Sequence, residues 1–266
     1  MRAPECPWRH DRSREDPVVI THKVGDVSTT GMRHVMDIGM RVSYYAPNGG
    51  GSAIRIRSLE PAGPAQLVRV VEPGRRYSVD YEFTPPNPAY RRDVEITTFA
   101  HALTVRGTRV MAHGCGVMFE RGGGAICLGT SGVGKSTASR MLGGRSDMTV
   151  LNDDRLVIEE DGERFRLWAT PWPGTEGVAR NGDAELEVIA MIGRGESPSA
   201  RVLTAREALP RLLPTLALPI WDHELMARML ALVDELLQRV PVIEMRYPLE
   251  GGTAEWIAQT LQTMRA

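Results

Sequence analysis

Ala125-Ile126-Cys127-Leu128-Gly129-Thr130-Ser131-Gly132-Val133-Gly134-Lys135-Ser136-Thr137 begins as a strand-length apolar run and continues as G-x-x-x-x-G-K-S. Each residue type suits a phosphate cradle. Glycines let backbone amides turn inward toward phosphate oxygens, and the N-terminus of the helix expected over 136–142 adds partial positive charge. Lys135 would reach the terminal phosphates and the Ser136 hydroxyl would bind Mg²⁺. A glycine turn that only caps a helix needs neither residue. Gly129 to Thr137 therefore read as the binding loop of a nucleoside triphosphate, ATP or GTP.

Upstream, Gly116-Val117-Met118-Phe119-Glu120 and the run 125–128 flank Arg121-Gly122-Gly123-Gly124, the pattern of a hairpin whose second strand feeds the loop. Before it, Val110-Met111-Ala112 reads as a short strand leading to His113-Gly114. Downstream, Met148-Thr149-Val150-Leu151 reads as a strand adjacent to the loop's own. It would carry Asn152-Asp153-Asp154-Arg155 to the C-terminal edge, where open α/β sheets place ligands. Adjacent carboxylates there can divide labour, one holding Mg²⁺ and one accepting a proton from an attacking hydroxyl. Turn aspartates on a plain surface are the competing explanation. An apolar strand ending in two acids so soon after a phosphate loop favours the first.

Farther out, Arg41-Val42-Ser43-Tyr44-Tyr45, Ala53-Ile54-Arg55-Ile56-Arg57 and Leu67-Val68-Arg69-Val70-Val71 alternate with period two between Gly/Pro clusters, as half-buried antiparallel strands do. Those clusters include Pro61-Ala62-Gly63-Pro64 and Pro85-Pro86-Asn87-Pro88. A helix is expected over 94–103. In the C-terminal third, Asp222 can cap a helix with Leu225, Met229, Leu232, Val233, Leu236, Leu237 and Val240 on one face. A strand over 242–247, a turn at Gly251-Gly252 and a helix over 253–265 capped by Thr253 complete the reading. The divisions expected are a tail over 1–16, a β-rich lobe over 17–98 and a catalytic domain over 99–266.

Composition is that of an average globular chain: 42% hydrophobic, 24% charged, with 32 basic and 33 acidic residues among 266. No basic excess recommends a nucleic-acid partner. No uncharged apolar run reaches the roughly 18 to 20 residues of a membrane span, and the N-terminus lacks the apolar core of a secretory signal. A cytoplasmic location is expected. Cys6, Cys115 and Cys127 form no metal-ligand spacing, and the last two read as reduced core residues. A homo-oligomer is compatible with the sequence.

Taken together, His113-Gly114, the hairpin, Gly129 through Ser136, the helix and Asn152-Asp153-Asp154-Arg155 resemble the catalytic domain of HPr serine kinase/phosphorylase and its smaller relatives. The resemblance covers roughly residues 99–175 and, more loosely, the remaining C-terminal part of the chain. It implies an α/β fold of the phosphoenolpyruvate carboxykinase-like P-loop type with a mixed sheet, which the β-rich lobe read from its alternation would precede. It also implies an ATP- and Mg-dependent kinase acting on a hydroxyl, serine foremost, of a peptide, protein or small molecule. Asp153 would be the catalytic base, Asp154 would support the metal beside Ser136, and His113 would sit near the terminal phosphate with Lys135, a satisfied core or turn histidine being the other reading of His113. Thr170-Pro171-Trp172-Pro173-Gly174-Thr175 would form a lip of the site, a plain Pro-Gly turn with a packed Trp being the other reading. The chain lacks that family's glycine-rich signature after the paired aspartates, and its N-terminal lobe does not look like theirs.

Two other readings stand beside this one. Small-metabolite kinases of the gluconate or shikimate kind pair a similar loop with aspartates, but they usually begin with the loop, whereas 128 residues precede Gly129. A catalytically idle nucleotide sensor would have no need of Lys135, Ser136, Asp153 and Asp154 together.

Overall fold

The computed structural model describes residues 18–38, 41–57, 63–85, 89–130, 132–248 and 253–264. The expected tail, Cys6, His10, Ser131 and the Gly251-Gly252 turn lie outside them, as do parts of the Pro61 and Pro85 clusters. The chain is mixed α/β with two mixed sheets, and its N-terminal part is β-rich. It forms two compact units. One takes in the described residues up to Arg106 together with Pro219–Met226, and the other takes in Gly107–Leu218 and the residues from Ala227 on.

In the first unit, β1 (Val19–Val24), β2 (Met32–Ile38), β3 (Val42–Pro47), β4 (Ala53–Ile56), β5 (Gln66–Glu72) and β6 (Arg76–Tyr81) form a sheet in the order β1-β6-β5-β4-β3-β2. Only β1 against β6 is parallel. Alternation does the sorting. Tyr77, Val79 and Tyr81 point into one core with Ile54, Ile56 and Val68, joined by Val94 and Ala102 of helix α1 (Ala89–Arg106). α1 runs longer than the expected 94–103 and stops against Gly107, whose φ of 87° belongs to the left-handed region.

An aromatic stack closes this core. Tyr44 lies 3.9 Å from Trp221 and nearly parallel to it, Trp221 lies 5.7 Å from His101, and His101 Nδ1 pairs with the Tyr77 hydroxyl at 3.0 Å. Burial pushes the His101 imidazole from its ordinary 6.5 down to about 4, so the folded unit holds it neutral. The unfolded chain takes up the proton first. Stability is therefore complete above about pH 6.5 and withdrawn as the pH falls toward 4, by roughly 3 kcal/mol across that window. Denaturant titrations between pH 7 and pH 4 should show that loss in the wild type and a flatter slope in His101→Phe.

The second unit is built on an eight-stranded sheet. Its strands are β7 (Arg109–Phe119), β8 (Gly124–Leu128), β9 (Met148–Asn152), β10 (Arg155–Asp161), β11 (Arg164–Ala169), β12 (Asp183–Arg194), β13 (Ser199–Val202) and β14 (Val242–Tyr247). The order is β11-β10-β7-β8-β12-β14-β13, with β9 paired to β7 and β11 also to β12. Because β8, β12 and β14 are parallel, their C-terminal ends share one edge. Helices α2 (Lys135–Gly143) and α5 (Ala254–Thr263) contribute Ala138, Leu142, Ile257, Ala258 and Leu261 to one apolar cluster. The other cluster takes Ala208 and Leu212 of α3 (Ala205–Leu212) and Met229, Leu232, Val233 and Leu236 of α4 (His223–Arg239). Asp222 does cap α4, accepting the Glu224 and Leu225 amides at 3.0 Å each. Thr253 precedes α5 without a side-chain cap bond. Cys115 and Cys127 are free, buried and opposite each other across β7 and β8. Among the described residues no helix is long and apolar enough to cross a membrane.

The sheet corrects two expectations. β7 is one strand of 11 residues, with no break at His113-Gly114. β9 is not a direct neighbour of β8 either: β7 lies between them, pairing antiparallel with both. The glycines of β7 serve packing rather than turning. A Cβ on Gly114 would lie 2.7 Å from the Cys127 carbonyl oxygen and 2.6 Å from Leu128 Cδ2, and one on Gly116 would strike Leu156. Backbone on the neighbouring strand cannot yield as a side-chain tip can. Gly114→Ala should lower the unfolding free energy by about 1–3 kcal/mol in a denaturant titration.

Candidate active site

The topology gathers the expected site residues at one edge. Gly114 is in register with Leu128 and His113 with Arg155, so the start of the glycine loop and the Asp153-Asp154 turn flank the same stretch of β7.

The loop itself is shaped by close approach and by left-handed backbone. A Cβ on Gly129 would lie 2.8 Å from Val133 Cγ1 and 3.1 Å from the Ile192 carbonyl oxygen. Gly132 and Gly134 take φ of 77° and 116°, conformations that other residues rarely adopt. Gly134 is the N-cap of α2, no side chain among the described residues caps that end, and its first turn holds no acid. Those amides remain available to an anion.

Lys135 is buried, and its ammonium donates to the carbonyls of Gly129 at 2.9 Å and Thr130 at 3.0 Å. Burial pulls its pKa down, while the charge of Asp154 acts in the opposite sense. Ser136 and Thr137 follow on the first turn of α2, half-buried. Val133 closes the loop, its backbone N–H donating a hydrogen bond to the Thr130 carbonyl at 3.4 Å.

The two acids face different ways. Asp154 turns toward His113, with Oδ1 2.9 Å from Nδ1, and the same oxygen accepts Arg155 Nη1 at 2.8 Å. Arg155 Nη1 also contacts His113 Nδ1. These three side chains keep partial exposure: 39% for His113, 17% for Asp154 and 27% for Arg155. They are reachable from solvent.

Asp153 is buried and occupied. Its Oδ1 accepts the amides of Gly174 at 2.7 Å and Val178 at 3.2 Å, and its Oδ2 accepts that of Glu176 at 2.7 Å. A carboxylate holding three backbone donors is committed to them. The expected base is therefore, in this geometry, a clamp on the 174–178 segment. Gly174 has no room for a Cβ, which would lie 2.8 Å from both Asp153 Oδ2 and Asp154 Cβ.

Asn152 completes the fixture. Its Nδ2 donates to the Thr170 and Trp172 carbonyls at 2.9 and 3.2 Å, and its Oδ1 accepts the amides of Asp154 and Arg155. Arg140 of α2 grips Glu176 through two bonds, at 2.7 and 3.1 Å. The expected lip, Thr170 to Thr175, is thus tied by Asn152 and Asp153 to the acid turn, while Arg140 anchors Glu176 just beyond it.

Sequence reasoning gave no role to Asn152, Glu176 or Arg140, nor to Arg194, whose Nη2 donates to the Gly132 carbonyl at 3.0 Å. The last of these carried a readable signal. An apolar strand running to Gly193-Arg194-Gly195 ends on a cation at a sheet edge.

No family model and no curated protein matches the chain. Among solved structures, the HPr(Ser) kinase/phosphatase from Coxiella burnetii aligns over 57% of this chain and 94% of its own, at 11% identity and a TM-score of 0.35. A TM-score that low does not establish a common fold.

Proposed function

We propose that the chain transfers the terminal phosphoryl group of a nucleoside triphosphate, ATP or GTP, to a hydroxyl on a peptide, protein or small molecule. The observation that carries this is the meeting of an open, glycine-shaped helix N-terminus and a buried ammonium with an acid, Asp154, on the turn that flanks the same stretch of β7. The carboxykinase-like P-loop architecture belongs to the same proposal. So does a cytoplasmic setting, with which the two free, buried cysteines accord.

In the reaction, the acceptor oxygen forms a bond to the terminal phosphorus as the bond to the bridging oxygen breaks. A nucleoside diphosphate leaves, and the hydroxyl proton passes to a carboxylate. Asp154 would take it, directly or through His113, which lies 2.9 Å from it. The first-turn amides of α2 and Lys135 would hold the phosphates and the charge that develops on them. Mg²⁺ carried on the triphosphate would supply further neutralisation, held on the protein side by Ser136 and, through water, by Asp154. Among the described residues no group of three His, Cys, Asp or Glu could hold a metal alone. That suits an ion bound mainly by phosphates and water.

Incubation with γ-labelled ATP, Mg²⁺ and a panel of serine-bearing peptides, free serine and small polyols tests the proposal. Label on an acceptor hydroxyl, located by mass spectrometry, supports it. Tight nucleotide binding with no transfer to any member of a broad panel would favour the idle sensor instead.

A further inference from the structure

We infer that Arg194 is a second cation of the phosphate site, contacting the terminal phosphate that Lys135 also reaches; this presupposes the triphosphate assignment above. Its place in the fold is fixed by strand register. β12 runs parallel to β8 with Met191 opposite Leu128, so Arg194, at the C-terminal end of β12, emerges beside the glycine loop. There it is exposed and bonded to the Gly132 carbonyl at 3.0 Å.

The pairing of the neighbouring cations sets it apart. Arg140 is held by Glu176, Arg246 by Glu244, and Arg201 by Glu207 and Glu244. Among the described residues, no carboxylate lies within ion-pair distance of Arg194 or Lys135, and both side chains rest on neutral carbonyls of the loop, at Gly129, Thr130 and Gly132. A guanidinium gains more from two phosphate oxygens than from one carbonyl, because both partners are charged and the fork matches the oxygens. Being exposed, Arg194 can swing from Gly132 to a phosphate with little packing to disturb. Lys135 and Arg194 both engage loop carbonyls ahead of the helix, at Gly129, Thr130 and Gly132, while the first-turn amides of α2 take the phosphates nearer the helix. The phosphate they share is accordingly the outermost one.

Calorimetric titration of the full chain with Mg-ATP and with Mg-ADP distinguishes a phosphate contact from a loop-shaping role. Arg194→Ala should weaken ATP binding about ten-fold or more and ADP binding less than about three-fold. Arg194→Lys should recover part of the ATP affinity. Equal weakening of both nucleotides would assign Arg194 to holding the loop and overturn the inference, as would no change in either. Wild-type protein that binds neither nucleotide would overturn the triphosphate assignment itself. That failure is told apart from the others by the wild-type titration alone.

Discussion

Lys135→Ala is expected to lower ATP affinity by about two to four orders of magnitude while leaving the fold intact. The ammonium would exchange two carbonyl contacts for charge-assisted bonds to phosphate, each worth about 1.5–3 kcal/mol. Losing two such bonds gives the stated range, at about 1.4 kcal/mol per factor of ten. Stability should not follow affinity downward. Burial already disfavours the charged form of Lys135, so deleting the side chain removes a desolvation cost along with its two loop contacts. Calorimetry should show heat with ATP for the wild type and none for the variant over the same concentrations, with melting temperatures within a few degrees. A variant that binds ATP as the wild type does would mean that phosphate is held elsewhere.

How much of this was legible beforehand depends on the range of the interactions involved. The glycine loop, the hairpin before it and the strand before Asp153 are local features, encoded by glycine spacing and apolar runs, and the structure has each of them. Strand order is not local. The placing of β7 between β8 and β9 follows from an 11-residue strand that pairs with different partners along its length, which no period in the sequence announces. His113-Gly114 read as the end of a strand because glycine usually marks a turn; here it marks a crowded neighbour instead. The direction of a carboxylate is less legible still. Asp153 and Asp154 are chemically identical, and only the return of the 174–178 segment, some twenty residues downstream, decides which one is consumed by backbone amides. For Arg194 the strand-end position was readable but the partner was not, since Gly132 comes from a distant part of the chain.

The two acids therefore predict opposite phenotypes. Asp154→Asn keeps the size of the side chain and loses the charge that faces His113 and Arg155. Nucleotide affinity should fall only modestly, whereas transfer to an acceptor should drop about 10²- to 10⁴-fold, the usual contribution of a positioned acid or base. Asp153→Asn should act through the backbone instead. An amide cannot accept all three donors: with Oδ1 kept on Gly174 and Val178, the new NH₂ group meets the Glu176 amide donor to donor. One unsatisfied buried donor costs about 1–3 kcal/mol. The 174–178 segment should loosen, seen as faster hydrogen exchange at Gly174, Glu176 and Val178 and as a lower unfolding free energy. Its effect on transfer should come mainly through a raised KM for the acceptor, since the lip is displaced while Asp154 and Lys135 remain. If Asp153→Asn instead abolished turnover with unchanged exchange and unchanged stability, the base would be Asp153 after all, and the clamp would have to release during the reaction.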